Sequence, residues 1–452
     1  MGRLFGTNGV RGVVNKDLTA ERVMRLAAAA GAFLGRSIAV GRDGRTSGPM
    51  FRDAAVSGLL SVGCHVHDAG MLPTPALQHA VKRFGLDGGL MVTASHNPPE
   101  FNGVKVMAGD GVEIPRRHET EIEEVFFGGG PPLSPWDGVG TTRELESLEA
   151  YREAVLSHVD RDLVEGARLR VALDPGNGVA ALTASAIARD VGCVVSTINA
   201  DVDGRFPGRE SEPRPDNLGG LRGLVEASGA DMGVAFDGDG DRAIFVDETG
   251  EVHWGDRSFA LVAREFLARN PGEAVATPVS SSRVVEDVVS SGGGRLVWTP
   301  VGSVVVSRTM VEEGINLGGE ENGGIMYGPH LPVRDGGMAL ALILEIIARE
   351  GRPLSELLGG LPQYVQMKDR VPCPEGLKER ALEVLRGRVE ASRVETIDGL
   401  KLWYPDGSWI LVRPSGTEPI FRLYAEAGSK ERVDELIERH KEMVGEVVEA
   451  LG

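Results

Sequence analysis

IAVGRDGRTSG (38–48) opens the first of three stretches that share one layout. A run of helical pattern follows it to SVG (61–63), and then CHVHDAG (64–70). LRVALDPGNGV (169–179), a run to DVG (190–192) and CVVSTINA (193–200) repeat the layout. AVATPVSSSRV (274–284), a run to SGGG (291–294) and RLVWTPVG (295–302) repeat it again. Each reads as an apolar strand, a Gly/Ser/Pro loop, a helix, a glycine stop and a second strand. That is a βαβ unit, whose strands lie parallel in one sheet.

A further strand running into a polar loop follows each unit: GGLMVTASHNPP (88–99), ADMGVAFDGDGDR (230–242) and NLGGEENGG (316–324). The expectation is an α/β fold of three similar domains with mixed sheets. Each would present one loop from the carboxyl end of a strand, where open α/β sheets bind ligands. The C-terminal part differs. WILVRPSGTEPIFRLYAEA (409–427) reads as strand, tight loop, strand, and KERVDELIERHKEMVGEVVEAL (430–451) as an amphipathic helix, together a small α+β module. Punctuation at GGGPPLSP (128–135), SLEAY (147–151), DETGEVHWGD (247–256) and GGLPQ (359–363) divides the chain into 1–148, 149–250, 251–362 and 363–452.

Composition supports several domains. The chain has 452 residues, and single cores stop growing near about 250–300. A net charge of −18 argues against wholesale binding to nucleic acid or an anionic membrane. An anionic small molecule would need a local cluster of positive groups. Three scattered Cys, Cys64, Cys193 and Cys373, make neither a disulfide framework nor a metal spacing. The longest greasy segment, MALALILEII (338–347), is too short to span a bilayer and reads as a buried helix. The N-terminus lacks a signal-peptide pattern, so the expected location is the cytoplasm, as a monomer or homodimer.

DGDGDR (237–242) places Asp237, Asp239 and Asp241 at alternate positions. Glycines between them let the backbone turn around one centre, and three hard oxygens suit Mg²⁺ or Ca²⁺. An EF-hand is excluded: its sixth position would be Arg242 instead of Gly, and the flanks MGVAF (232–236) and AIFVD (243–247) read as strands. In TASHNPP (93–99) Ser95 sits at a turn after an apolar strand, and alone reads as a backbone-capping Ser. RPSGTEP (413–419) offers a guanidinium, two hydroxyls and a Gly, with Arg422 nine residues after Arg413, a set able to hold a phosphate or to cap a hairpin. GEENGG (319–324) presents Glu320 and Asn322 two apart, a pair suited to sugar hydroxyls or to an acidic surface loop. FGTNGVRG (5–12) ends in Arg11, and GRDGRTSG (41–48) carries Arg42 and Arg45. Lys105 lies in NGVKV (102–106), in a chain with 8 Lys against 40 Arg. A half-buried Lys can lose its proton and Arg cannot, which makes Lys105 a candidate proton-transfer group.

In their order along the chain, FGTNGVRG, TASHNP, DGDGDR, GEENGG and RPSGTEP resemble the five signatures of the α-D-phosphohexomutase superfamily, across essentially the whole length and in the manner of its archaeal-type members. The resemblance implies four domains around a central cleft, the first three similar α/β units. It implies Ser95 as the phosphorylated nucleophile, and Mg²⁺ held by Asp237, Asp239 and Asp241 with the phosphate on Ser95. Arg11, His96, Lys105 and Arg242 would line the reaction centre, Lys105 as general acid/base. Glu320 and Asn322 would bind sugar hydroxyls, and Arg413, Ser415, Gly416, Thr417 and Arg422 the non-reacting phosphate. The implied activity interconverts hexose 6-phosphate and hexose 1-phosphate through a 1,6-bisphosphate, which also serves as activator. Glucosamine phosphate is the expected substrate, with mannose and glucose phosphates as the alternative. A phosphoserine-type hydrolase and an inactive sugar-phosphate-binding protein are more distant alternatives. One position departs from the pattern: many members end the sugar loop in His, and Gly324 stands there, with His330 six residues on.

Overall fold

The computed structural model describes residues 4–6, 8–416 and 418–452, so Thr417 lies outside the described residues. The described residues form four sheets. In the first, Ser37–Arg42 pairs in parallel with His65–Met71 on one side and Gly88–Val92 on the other. Phe101–Ala108 then runs antiparallel to Gly88–Val92. The second sheet repeats this. Arg170–Asp174 lies parallel between Val194–Thr197 and Met232–Phe236, and Ala243–Asp247 returns antiparallel. The third repeats it again. Ala274–Pro278 lies parallel between Arg295–Thr299 and Leu317–Gly319, and Ile325–Tyr327 returns antiparallel. The three expected βαβ units are therefore present.

The repeat explains where the polar loops lie. In each sheet the third strand of the unit ends, and the connection to the antiparallel return strand is the loop marked in the sequence: 93–100, 237–242 and 320–324. The buried faces of all three strands are continuous apolar runs, as strands covered on both sides require. The N-terminal strand Val10–Val13 adds to the edge of Phe101–Ala108, with Arg11 opposite Gly103. Edge strands of the first two sheets are completed by Thr142–Glu144 and Val252–His253.

The fourth sheet is wholly antiparallel, in the order Val365–Pro372, Ile420–Ala427, Trp409–Pro414, Leu400–Trp403, Arg393–Glu395. Helices Lys378–Arg388 and Lys430–Leu451 cover one face, burying Ile410, Val412, Phe421 and Leu423. The alternate residues Trp409, Leu411 and Tyr424 point the other way, against Val279 and Trp298 of the third sheet. Helix Gly336–Glu350 contains the greasy 338–347 segment and is buried at the centre of the largest core. The three Cys are buried and unpaired. Among the described residues no helix is long and apolar enough to cross a membrane.

Candidate active site

Ser95 is fully buried, with a left-handed backbone at φ +50°. A non-glycine residue held there stores strain that its surroundings must enforce. Thr93 and Arg45 enforce it. The Ser95 amide donates to Thr93 Oγ1 at 2.8 Å, and Thr93 Oγ1 donates to Asp43 Oδ2 at 2.6 Å. Arg45 pairs with Asp43 and donates to the carbonyls of Ser95, Asn97, Pro98 and Phe101 at 2.6–2.9 Å. The whole 95–101 loop thus hangs on one buried guanidinium. In the sequence GRDGRTSG reads only as a polar loop; its bracing role follows from a contact fifty residues distant.

The Ser95 hydroxyl donates to Asp237 Oδ2 at 2.8 Å, joining the first loop to the second. Their closeness requires Gly238, because a Cβ there would stand 2.6 Å from the Ser95 carbonyl oxygen. Arg209 plays on the second loop the part that Arg45 plays on the first. It pairs with Asp174 at 2.8 Å and donates to the Phe236 carbonyl at 2.6 Å, just before Asp237.

Asp237, Asp239 and Asp241 are buried and present carboxylate oxygens within 4.8 Å of one another. Lys105 Nζ donates to Asp239 Oδ2 at 2.7 Å and Asp241 Oδ2 at 2.9 Å. Thr74 Oγ1 donates to Asp239 Oδ2 at 2.5 Å, and Arg334 to Asp241 Oδ2 at 2.6 Å. Asp239 Oδ1 and Asp241 Oδ1 are buried without a hydrogen-bond partner. Orphaned anionic oxygens are costly, and these two, with the Asp237 carboxylate, are the hard-oxygen set that a divalent cation takes. The residues fit such an ion.

Burial, with Asp241 and Asp239 beside it, raises the Asp237 carboxyl well above its usual range. Burial pushes Asp239 the same way, but Lys105 and Thr74 outweigh it and hold it below that range. Burial also opposes the charge on Lys105; Asp239 and Asp241 more than offset it, so the ammonium is held more firmly than in an ordinary lysine. His96 is kept neutral by burial and by Arg242, Arg11 and Arg334. Its Nδ1 lies 3.3 Å from Ser95 Oγ. Arg11 donates to Asn97 Oδ1 at 2.7 Å and the Ala94 carbonyl at 3.2 Å, and burial pulls it down to about 10. Arg242 reaches Glu212 at 3.3 Å and stands 3.8 Å from Asp241. Arg11, His96, Lys105 and Arg242 thus gather around Ser95 and the Asp triad.

The 319–324 loop is seated on the 237–242 loop. The Ala243 amide donates to the Gly323 carbonyl, and Glu320 accepts from Arg334 at 3.3 Å. Asn322 Oδ1 accepts from the Gly324 amide at 3.3 Å. His330 is turned elsewhere: its ring stacks on His79 at 5.5 Å and its Nε2 lies 3.3 Å from Asp335.

The fourth loop stands apart from these contacts. Arg413 pairs with Asp398 at 2.5 Å and Arg422 with Glu418 at 2.6 Å. The Ser415 carbonyl accepts from Lys378 at 2.6 Å, and the Ser415 hydroxyl from the Glu418 amide at 3.2 Å. Gly416 lies in the bend between the two strands. The register adds a residue that the motif did not reveal. Arg413 is opposite Arg422, and Arg422 is opposite Arg370 on the next strand. Directly opposed residues share a face, so Arg413, Arg422 and Arg370 lie side by side on the face of the sheet away from its helices, two of them paired with Asp398 and Glu418. Guanidiniums gathered on one face suit a phosphate.

The phosphoglucomutase/phosphomannomutase α/β/α domains I, II and III match residues 2–130, 149–250 and 254–364, and the C-terminal domain of the same family matches 370–443. A phosphoglucosamine/phosphogalactosamine mutase of Sulfurisphaera tokodaii is 44% identical, covering 98% of this chain and 99% of that one. A phosphoglucomutase/phosphomannomutase of Thermococcus kodakarensis is 41% identical, covering 97% of each. A solved phosphoglucomutase/phosphomannomutase family protein from Burkholderia thailandensis superposes with a TM-score of 0.87 at 31% identity, covering 98% of this chain and 97% of that one. With four domains matched in order and relatives aligned from end to end, this chain belongs to the phosphoglucomutase/phosphomannomutase family, phosphohexomutases of the isomerase class.

Proposed function

We propose that this protein is a phosphoglucosamine mutase, interconverting glucosamine 6-phosphate and glucosamine 1-phosphate through a phosphoserine at position 95 and a 1,6-bisphosphate. The observation that carries the mechanism is the Ser95 hydroxyl at 2.8 Å from Asp237, at the edge of three carboxylates with two orphaned oxygens. The choice of sugar leans on the relative at 44% identity whose name gives glucosamine and galactosamine phosphates. Phosphomannomutase/phosphoglucomutase activity is the second reading, favoured by the relative at 41%.

Asp237, Asp239 and Asp241 would hold Mg²⁺, which would neutralise the charge on the phosphate carried by Ser95. Transfer then rests on positioning. Arg45 and Arg209 hold the two loops face to face. Arg11 and Arg242 supply positive charge beside Ser95. Lys105 lies against two of the carboxylates, where it would serve as the general acid/base for the sugar hydroxyl. Glu320 and Asn322 would hold ring hydroxyls. Arg413, Ser415, Gly416, Thr417 and Arg422 would anchor the non-reacting phosphate, so that the bisphosphate can turn over and return its other phosphate to Ser95. The proposed domains are 1–148, 149–250, 251–362 and 363–452, and the proposed setting is the cytoplasm.

Initial rates on the 6-phosphates of glucosamine, mannose and glucose, with the matching 1,6-bisphosphate added, test this reading. Fastest turnover of glucosamine 6-phosphate supports it. Faster mannose or glucose turnover selects the second reading, and release of free phosphate without isomerisation would overturn both.

A further inference from the structure

Gly324 closes the sugar loop, and the space beside it is taken. A Cβ built on Gly324 would stand 2.4 Å from Arg334 Cδ and 2.7 Å from its Cγ, although the backbone there is not left-handed. The constraint on this glycine is therefore the side chain lying across it. Arg334 ends the strand Leu331–Arg334, which runs antiparallel to the return strand with Arg334 opposite Met326. The next residue, Asp335, caps helix Gly336–Glu350, accepting from the Met338 amide at 2.9 Å and the Tyr151 hydroxyl at 2.6 Å. Arg334 is fixed by rigid elements on both sides.

Its guanidinium is buried and divides itself between two loops, with Asp241 Oδ2 at 2.6 Å and Glu320 Oε2 at 3.3 Å. Asp241 is one of the three carboxylates fitted to a cation, so Arg334 and the cation draw on the same group. Glu320 is the carboxylate assigned above to the sugar hydroxyls.

We propose that Arg334 is a positioning residue of the mutase site, passing over Gly324 to hold Glu320 in place for the sugar while competing with the metal ion for Asp241. This rests on the mutase reading above. It makes two effects opposite in sign. Without the guanidinium, Asp241 has one counter-charge fewer and the triad binds the cation more tightly, while Glu320 loses its support and the sugar phosphate binds less well. A residue that merely supported the fold would weaken both.

The full-length chain carrying Arg334→Ala tests this, with Mg²⁺ binding measured by titration calorimetry in the absence of sugar. The expected result is Mg²⁺ affinity raised about fivefold or more, the lower end of ordinary coupling between two binding events, together with a KM for hexose phosphate raised more than kcat is lowered. Arg334→Met keeps the volume and serves the same metal measurement if the Ala variant fails to fold. Gly324→Ala adds a second arm. In the wild-type background it displaces Arg334 and raises KM; in the Arg334→Ala background it changes little, a non-additivity expected only of residues in contact. Unchanged or weaker Mg²⁺ binding by both Arg334 variants, or a Gly324→Ala effect of equal size in both backgrounds, would overturn the proposal. Absence of isomerisation by the wild-type chain would instead sink the mutase reading, and the calorimetric arm would still decide the competition for Asp241.

Discussion

Ser95 Oγ and Asp237 Oδ2 stand 2.8 Å apart, though they lie on loops of different sheets and 142 positions apart in the chain. A hydroxyl donating to one member of a carboxylate cluster has its lone pairs free for phosphorus and its proton already engaged. Once phosphorylated, Ser95 would place close to two further negative charges on the triad, tolerable only with a cation and the neighbouring Arg groups between them. Ser95→Ala is therefore expected to bind hexose phosphate normally through the fourth loop. Its turnover should fall at least about a hundredfold, because the covalent route is gone. Intact mass and peptide mapping after incubation with a hexose 1,6-bisphosphate should find one phosphate on Ser95 in the wild type and none in the variant. Phosphate on another residue with near-normal turnover of Ser95→Ala contradicts the assignment.

Asp239 has two jobs in the structure, and they call for different substitutions. Its Oδ1 is buried without a hydrogen-bond partner and fits the proposed cation, while its Oδ2 holds Lys105 and Thr74. Removing one partner of a buried ion pair costs about 3–5 kcal/mol when nothing replaces it. Lys105 keeps Asp241, so Asp239→Ala is expected to lose about 2 kcal/mol of stability as well as activity. Asp239→Asn keeps the shape and should lose activity with a smaller shift in Tm. Activity of the wild type should vanish in excess chelator and return with Mg²⁺; full activity in chelator rules out the metal role.

Lys105 donates to two members of the triad, where the proposed reading gives it the proton of the sugar hydroxyl. Lys105→Met preserves the stem and removes the ammonium. The expected outcome is a kcat lowered by about 10²-fold, as for loss of a general acid or base. A raised KM with kcat unchanged would make Lys105 a binding residue instead.

The loops and the repeated sheet were legible in the sequence for one reason. A strand, a glycine-marked turn and a helix leave local traces, and Asp237, Asp239 and Asp241 sit within five residues. Arg45, Thr74, Arg209 and Arg334 were illegible for the complementary reason. Each acts on a loop more than fifteen positions away or in another domain, and nothing in GRDGRTSG or LPVRDGG reports what the guanidinium will meet. The same limit hid Arg370, which joins Arg413 and Arg422 only through strand register. Gly324 was legible as a missing side chain, but not as the space through which Arg334 passes. His330 was legible as the nearest imidazole, yet the fold packs it against His79 and Asp335.

Arg370 is expected to extend the anchor made by Arg422 and Arg413, its neighbours in register. Arg370→Ala should raise KM for hexose phosphate, by about tenfold for loss of one charge-assisted hydrogen bond of about 1.5 kcal/mol, with a smaller effect on kcat. It should also reduce the steepness with which KM rises with salt. A variant with unchanged KM at low and high salt places Arg370 outside the anchor.

Asp256 gives a pH signature away from the reacting groups. It lies in the first turn of helix Gly255–Arg269, where Oδ1 accepts from the Ser282 amide at 3.2 Å and Oδ2 has no partner. The charges around it are Glu321 and Glu426, opposing ionisation, and Lys368, favouring it. Burial first, then Glu321, pushes its carboxyl from 3.8 up to about 8. Between those values the folded chain keeps a proton that the unfolded chain has lost. The folded state binds more protons there, so stability falls as pH rises through the window and levels off above about 8. Asp256→Asn presents a neutral group of the same shape at every pH and removes that slope. The two proteins should therefore melt alike near pH 4, and the variant should melt progressively higher than the wild type as pH approaches 8. Thermal midpoints from pH 4 to pH 9 measure the difference. A gap that does not grow across the window would mean that Asp256 ionises inside the fold as it does in water.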